Sequence, residues 1–91
     1  MFYVYVLHSR ARQICYTGFT GNLKERLKSH LAHRVQSTKS MGDLELIFYE
    51  AYLEKSDAQR REIYLKTTKG KRALKLMLTD YFSRYRPPEP E

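Results

Sequence analysis

Apolar residues along the chain follow two different periods, which separate predicted strands from predicted helices. Residues 2–8, FYVYVLH, form a β-branched and aromatic run without a helical period, and residues 14–19, ICYTGF, form a second run after a short polar connection. Such runs are typical of strands, and the short connection predicts a β-hairpin. Residues 44–52, LELIFYEAY, alternate in part and predict a third strand.

The first predicted helix spans residues 23–33. Leucines recur every four residues from Leu23 to Leu31, so they form one apolar stripe. Asn22 precedes this stripe as a favourable N-cap, and Glu25 follows three residues later in the arrangement of a capping box. The helix is therefore predicted to begin directly after the hairpin.

Two more helices are predicted in the second half of the chain. The second helix is predicted to run from about residue 57 to residue 68, and either Ser56 or Asp57 can cap it. Gly70 is predicted to break this helix. Residues 71–85 carry apolar side chains at helical spacing and predict a third helix, with its apolar stripe toward the core.

This order of elements, β-β-α-β-α-α, indicates an α+β domain over residues 1–85, with a three-stranded antiparallel sheet flanked by helices. A chain of 91 residues predicts one domain rather than two. Residues 86–91, RPPEPE, are predicted to be a disordered tail. The apolar start is too short for a signal-peptide core or a membrane span, and Cys15, the single cysteine, excludes an internal disulfide. The sequence thus predicts a soluble, cytoplasmic protein with no membrane partner.

The charge of the chain narrows the choice of partner. Lysine and arginine number 17 against 10 acidic residues, which gives a net charge of +7 and a pI near 9.7. Such a balance favours a polyanion, which can be a nucleic acid, an acidic membrane surface or an acidic protein. Charge alone leaves these three open.

Two polar features of the predicted helices are candidates for chemistry. Glu62 interrupts the apolar stripe that contains Ala58 and Leu65, and a buried carboxylate is costly unless it is paired or binds a metal. Glu62 therefore either pairs with a lysine or holds a cation. Arg26 and His30 lie one helical turn apart, and they either form a solvated face or face a phosphate together.

The hairpin supplies the other candidates. Tyr5 and Tyr16 fall in its two strands, where they either pack in the core or point to one shared face. Gly18 is by default a turn glycine. His8 and His33 are predicted to be ordinary surface histidines.

Taken together, these segments resemble the GIY-YIG endonuclease family, and in particular its small stand-alone members. The resemblance rests on VYVL (4–7), YTG (16–18), NLKERLKSH (22–30) and RREIYLK (60–66). It extends from residue 2 to about residue 78. The signature is not literal, since no glycine precedes Val4 and Thr17 replaces the central isoleucine. Asn22 is the only asparagine, so the asparagine that many members carry near the end of the module is missing.

The resemblance implies a DNA endonuclease that uses one divalent cation, Mg²⁺ or Mn²⁺. It matches Tyr5, Tyr16, Arg26, His30 and Glu62 to the family's catalytic residues, with Glu62 as the metal ligand. Tyr5 is the preferred general base, and His30 is the alternative. Substrate binding is expected from Gly18 and from four lysines, Lys24, Lys28, Lys66 and Lys69.

The expected substrate is branched, flapped or nicked DNA, of the kind processed in DNA repair, because the chain carries no separate sequence-reading domain. The loop over residues 34–43 and a protein partner are two further possible sources of specificity. Two alternatives stay open. One is a catalytically silent nucleic-acid-binding module of the same fold, and the other is a domain that docks an acidic protein through its third predicted helix.

Overall fold

The computed structural model describes residues 1–85, in the element order β-β-α-β-α-α-α. The elements are β1 (Phe2–Ser9), β2 (Ile14–Thr20), α1 (Leu23–Leu31), β3 (Glu45–Tyr52), α2 (Lys55–Leu65), α3 (Thr68–Met77) and α4 (Thr79–Tyr85). The predicted α+β fold with one three-stranded antiparallel sheet is confirmed. The tail predicted over residues 86–91 lies outside the described residues.

β1 is the central strand of the sheet and pairs antiparallel with β2 on one side and β3 on the other. Successive side chains of a strand point to opposite faces, so β1 divides the domain into two layers. Val4 and Val6 pack with Ala58, Leu65 and Leu74 of α2 and α3 to form the main core. The alternate residues of β1 face the side on which α1 lies.

α1 begins where the sequence predicts and ends earlier. Asn22 is the N-cap, and its Oδ1 accepts a hydrogen bond from the backbone N–H of Glu25 at 3.2 Å. The second hydrogen bond of a capping box, from the Asn22 backbone N–H to the Glu25 side chain, is absent in this cap. The Asn22 N–H donates to Thr20 Oγ1 instead. The helix ends at Leu31, which is 60% exposed, and His33 adopts a φ of +57°. The predicted apolar stripe and the predicted end at residue 33 are therefore both partly wrong.

α2 begins at Lys55, two residues before its predicted start. Its N-cap is Glu54, whose side chain makes no capping hydrogen bond, so the predicted caps Ser56 and Asp57 lie within the first turn. An acidic residue in this position stabilises a helix through the macrodipole, which is the contribution Asp57 makes.

Gly70 does not break a helix but lies inside α3, where it is buried. The break between α2 and α3 falls at Lys66 and Thr67, and Thr67 Oγ1 caps α3 by accepting from the Gly70 N–H at 3.0 Å. A Cβ at position 70 would lie 2.7 Å from the Leu65 Cα and closer still to the Tyr64 carbonyl group. Glycine is needed there because the two helices approach backbone to backbone.

The third predicted helix is two helices, since α3 ends at Met77 and α4 begins at Thr79. The Thr79 hydroxyl donates to the Leu76 carbonyl at 2.6 Å, and such side-chain bonds compete with the helical backbone pattern. Within residues 1–85, each helix is too short or too polar to cross a membrane.

His8 is not a surface histidine. It is 2% exposed, and α4 covers it, with His8 Nδ1 2.6 Å from Tyr81 Oη and its ring packed edge-on against Phe82. His33 is exposed, as predicted.

Candidate active site

Tyr5 and Tyr16 point to one shared face of the hairpin. The register of β1 and β2 pairs Tyr5 with Gly18 and Leu7 with Tyr16, and residues paired across strands project to the same side. The two tyrosine rings lie with their centroids 6.3 Å apart. Tyr5 is completely buried, whereas Tyr16 is half-buried and reaches the edge of the site.

Gly18 lies within β2 rather than in a turn, and it is buried directly opposite Tyr5. A Cβ at position 18 would lie 2.8 Å from Tyr5 Cε1 and closer still to Cζ and Oη. Carbon atoms do not approach so closely in folded proteins. The hydroxyl end of Tyr5 therefore occupies the space that a side chain at position 18 would fill.

His30 extends from α1 onto this face and is fully buried, so it does not belong to a solvated polar stripe. Its Nε2 lies 2.8 Å from Tyr5 Oη, and its Nδ1 lies 2.7 Å from Thr38 Oγ1. Both ring nitrogens thus have partners, and all three side chains are completely shielded from solvent. The contacts define a buried hydrogen-bonded chain from Tyr5 through His30 to Thr38.

Thr38 is the one residue of this hydrogen-bonded chain that was not predicted from the sequence. It lies in the connection between α1 and β3, at 0% exposure. Nothing in the local sequence distinguishes it from the neighbouring Ser37 and Ser40, since all three carry hydroxyls in a polar loop. Its role depends on a contact with His30 eight residues earlier in the chain.

Arg26 lies one turn before His30, with its guanidinium beside the two tyrosine hydroxyls. The pKa of Arg26 is raised, chiefly because its guanidinium interacts with the Tyr5 hydroxyl. The pKa of Tyr5 is also raised: burial disfavours the phenolate more than the neighbouring Arg26 favours it. Burial, followed by the positive charge of Arg26, lowers the pKa of His30. At neutral pH, Tyr5 therefore keeps its proton and His30 is uncharged.

Glu62 lies on a helix of the opposite layer from this cluster. Its helix, α2, packs against the face of the sheet that carries Val4 and Val6, which is opposite to Tyr5. The Glu62 carboxylate accepts a hydrogen bond from Lys66 Nζ at 3.2 Å, and its side chain is 22% exposed. Among residues 1–85, no hydrogen bond or ion pair joins Glu62 to the tyrosines, Arg26 or His30. Of the two alternatives for Glu62, pairing with a lysine or holding a cation, the structure contains the pairing, with Lys66.

The donor set limits how a cation could be bound. In the described part of the chain, no group of three or more histidine, cysteine, aspartate or glutamate side chains is arranged to hold a metal. A hard cation such as Mg²⁺ is often bound by one or two carboxylates, with waters and substrate phosphate oxygens as further ligands. The single carboxylate of Glu62 fits that mode of binding and does not fit a metal site built from protein ligands alone.

The predicted substrate-binding lysines are exposed and lie on three different segments. Lys24 and Lys28 are on α1, and Lys28 Nζ is 3.5 Å from Glu25. Lys66 pairs with Glu62, and Lys69 lies in the first turn of α3. Exposed amines of this kind can contact a phosphate backbone without reading its sequence.

Comparison with known proteins agrees with the fold. A family model described as the GIY-YIG catalytic domain matches residues 1–75. A UPF0213 protein of Clostridium perfringens is 35% identical over 78 residues, covering 85% of this chain and 83% of that protein. A UPF0213 protein of Staphylococcus haemolyticus is 33% identical over 76 residues, covering 82% of this chain and 92% of that protein. No solved structure matches this chain significantly.

Proposed function

Because the chain belongs to the GIY-YIG family, we propose that it hydrolyses phosphodiester bonds of DNA with the help of one divalent cation. The family implies a nuclease and therefore a nucleic-acid substrate. The observation that carries the proposal is the buried hydrogen bond between Tyr5 and His30, with the Arg26 guanidinium beside it. This arrangement supports a proton relay through Tyr5 and His30, with Arg26 beside it as the phosphate-binding group.

Tyr5 and His30 share the work of the general base in this mechanism. A tyrosine with a raised pKa is a poor base alone, but His30 Nε2 lies 2.8 Å from its hydroxyl. Tyr5 is shielded from solvent in the free protein, so we expect substrate binding to uncover its hydroxyl. As the attacking water then transfers a proton to Tyr5 Oη, the Tyr5 proton moves to His30 Nε2 and a new P–O bond forms. The bond to the leaving 3′ oxygen then breaks, and this oxygen takes a proton from solvent. His30 can accept because its lowered pKa keeps it neutral at pH 7.

The relay requires one particular tautomer of His30. In a neutral imidazole, one ring nitrogen donates a hydrogen bond and the other accepts. If Nδ1–H donates to Thr38 Oγ1, then Nε2 is free to accept from the Tyr5 hydroxyl. Thr38 therefore positions His30, and its hydroxyl can accept from the tautomer that is able to take the proton.

Arg26 is the group that stabilises the phosphate. Its guanidinium stays charged at every relevant pH, and it can donate two parallel hydrogen bonds to phosphate oxygens. Preorganised donors of this kind favour the transition state, in which negative charge on the phosphate increases. Tyr16, at the edge of the site, orients Arg26 and the substrate.

Glu62 would hold the cation together with phosphate oxygens and waters. When bound there, the cation supplies positive charge that neutralises the phosphate and the leaving oxygen. In the substrate-free protein Lys66 is paired with Glu62. We expect Lys66 to release the carboxylate and contact the phosphate backbone, as Lys69 and the lysines of α1 do. β2 is an edge strand, so a DNA strand bound along it would pass both the Tyr5 cluster and α2.

The proposal is tested by cleavage assays on duplex, nicked, flapped and branched DNA with Mg²⁺, Mn²⁺ or EDTA. We expect cutting that needs the cation and that is lost in Arg26→Ala and in Glu62→Gln. Matched control variants are Arg12→Ala and Glu54→Gln, which change exposed residues outside the cluster. Cleavage by the Arg26→Ala variant at the wild-type rate would contradict the assigned role.

A second candidate is a silent nucleic-acid-binding module, and the pairing of Glu62 with Lys66 on the opposite layer favours it. This alternative predicts that the protein binds DNA but cleaves none of the substrates, and that Mn²⁺ does not change its affinity for DNA. The same assays, read together with binding measurements, separate the two functions.

A further inference from the structure

Tyr49 is an aromatic side chain exposed next to the candidate active site. It is the direct cross-strand partner of Tyr5 in β3, so both project from the same face of the sheet. Tyr5 is completely buried, whereas Tyr49 is 54% exposed. A second tyrosine, Tyr3 of β1, lies on this face with its ring centroid 6.3 Å from that of Tyr49. An aromatic pair, with Tyr49 exposed and Tyr3 half-buried, thus lies beside Tyr5 on this face of the sheet.

A groove of about 510 Å³ opens between this aromatic pair and the start of α1. Its apolar walls include Leu23 and Leu27 of α1 and Leu46 of β3, and Lys24 is the cationic residue that lines it. The planes of the two tyrosine rings are tilted by 58°, so they form a wedge rather than a parallel slot. A flat ring can stack on the exposed Tyr49 side chain, with Tyr3 lining the same groove.

We propose that this groove binds an unpaired nucleobase of a DNA strand whose backbone lies at Tyr5 and Arg26. The position of the base relative to the cut rests on the proposed nuclease function. The substrate class that follows is DNA with a single-stranded segment beside the scissile phosphate. Bases inside a duplex are stacked on one another and cannot reach such a groove without being extruded.

The chemistry of the groove fits this occupant. Stacking of a base on an aromatic side chain contributes to binding largely irrespective of base identity, because every base presents a flat π-face. Lys24 can contact the adjoining phosphate, and the chain carries a net charge of +7. Tyr49, which lines the groove, is also the cross-strand partner of Tyr5, so the groove lies next to the Tyr5 cluster.

Variants of Tyr49 separate base stacking from strand propensity. Tyrosine and threonine both favour strands, so Tyr49→Thr keeps the propensity and removes the ring, and Tyr49→Phe keeps the ring and removes the hydroxyl. Affinity is measured in EDTA, for a single-stranded oligonucleotide and for the duplex of the same sequence. We expect the ratio of single-strand to duplex affinity to fall about 5- to 150-fold in Tyr49→Thr and to stay within about twofold in Tyr49→Phe. An unchanged ratio in Tyr49→Thr would overturn the proposal.

A second measurement needs no variant. A single-stranded oligonucleotide that contains the fluorescent base 2-aminopurine is titrated with wild-type protein, and stacking on tyrosine is expected to quench its emission. Emission that does not fall at saturation, at any position of the probe along the strand, would also overturn the proposal.

These binding measurements distinguish failure of the groove from failure of the nuclease proposal. Ring-dependent binding of single strands without cleavage on any substrate would keep the groove and refute the nuclease. Cation-dependent cleavage with a ratio that is insensitive to the Tyr49 ring would keep the nuclease and refute the groove.

Discussion

Replacing Gly18 with alanine tests the packing that holds Tyr5 at the centre of the site. The added Cβ would meet the hydroxyl end of the Tyr5 ring, with Cε1 at 2.8 Å. That ring has no free space to move into, because Tyr5 is completely buried and packs against Tyr16 and His30. Overpacking of a filled core costs about 1–3 kcal/mol. Displacing the hydroxyl also removes the hydrogen bond to His30, which contributes about 0.5–1.5 kcal/mol.

The expected loss for Gly18→Ala is therefore about 1.5–4.5 kcal/mol of the free energy of unfolding. In a domain of this size, each kcal/mol lowers the Tm by about 4–8 °C, so we expect a decrease of at least about 6 °C. Urea denaturation and thermal unfolding measure both quantities. Gly21→Ala is the matched control, because nothing lies within 4 Å of its added Cβ, and it should change stability by less than about 0.5 kcal/mol.

The same variant is expected to lose cleavage at temperatures where it is still folded, since the displaced Tyr5 hydroxyl no longer lies beside His30. Assays at 10 °C below the measured Tm of the variant separate this effect from unfolding. Equal stability and equal activity of Gly18→Ala and Gly21→Ala would refute the reasoning, because Tyr5 would then not fill the space opposite Gly18.

Three further predictions concern the buried polar groups and the helix contact. Thr38→Val removes the partner of His30 Nδ1, so it should cost about 1–3 kcal/mol of stability and change the ¹⁵N shifts of the His30 ring. Thr38→Ser keeps a hydroxyl and should restore both the stability and the ¹⁵N shifts. Unaltered ¹⁵N shifts in the valine variant would argue against the tautomer role. Gly70→Ala should destabilise by more than about 3 kcal/mol in urea denaturation, because its Cβ meets rigid backbone of α2, and a wild-type midpoint would show that the helices separate easily. Burial is the main cause that lowers the pKa of both His8 and His30, so between about pH 6.5 and their lowered pKa values the unfolded chain binds protons that the folded chain does not. Stability should therefore fall as the pH decreases below about 6.5, and a urea midpoint that is constant from pH 7 to pH 5 would contradict this account.

Local features of the fold were predictable from the sequence where their partners lie close along the chain. Asn22 caps α1 as predicted, because the N–H that it accepts from is three residues away. The three strands were also recognisable, since their β-branched and aromatic runs have no helical period. In contrast, the buried face of α1 was predicted incorrectly: Leu31 is exposed and His30 is buried, because Tyr5 and Thr38 supply partners for the imidazole.

Features that depend on distant contacts could not be predicted. His8 is buried because Tyr81, 73 residues later, offers a hydroxyl to its ring. Gly70 was predicted to break a helix, because a glycine that breaks a helix and a glycine that permits close helix packing look the same in the sequence. The split between α3 and α4 follows from a side-chain hydrogen bond of Thr79, which helical periodicity does not reveal.

The candidate site was predictable in part. The spacing of the motifs and the resemblance to a known family identified Tyr5, Tyr16, Arg26 and His30, and the structure brings these side chains together. Their roles in catalysis and the part played by Glu62 stay predictions. Thr38 had no signal in the sequence, because its importance lies in one buried contact.

The most direct test of the proposed relay is the cleavage of a flapped DNA substrate by wild-type protein and by Tyr5→Phe, in Mg²⁺. This substitution removes the hydroxyl that links the attacking water to His30 and keeps the ring that fills the core. We predict that the wild type cuts the DNA and that Tyr5→Phe binds it with similar affinity without cutting. Cleavage by Tyr5→Phe at the wild-type rate, or no cleavage by the wild type on any DNA structure, would contradict the account.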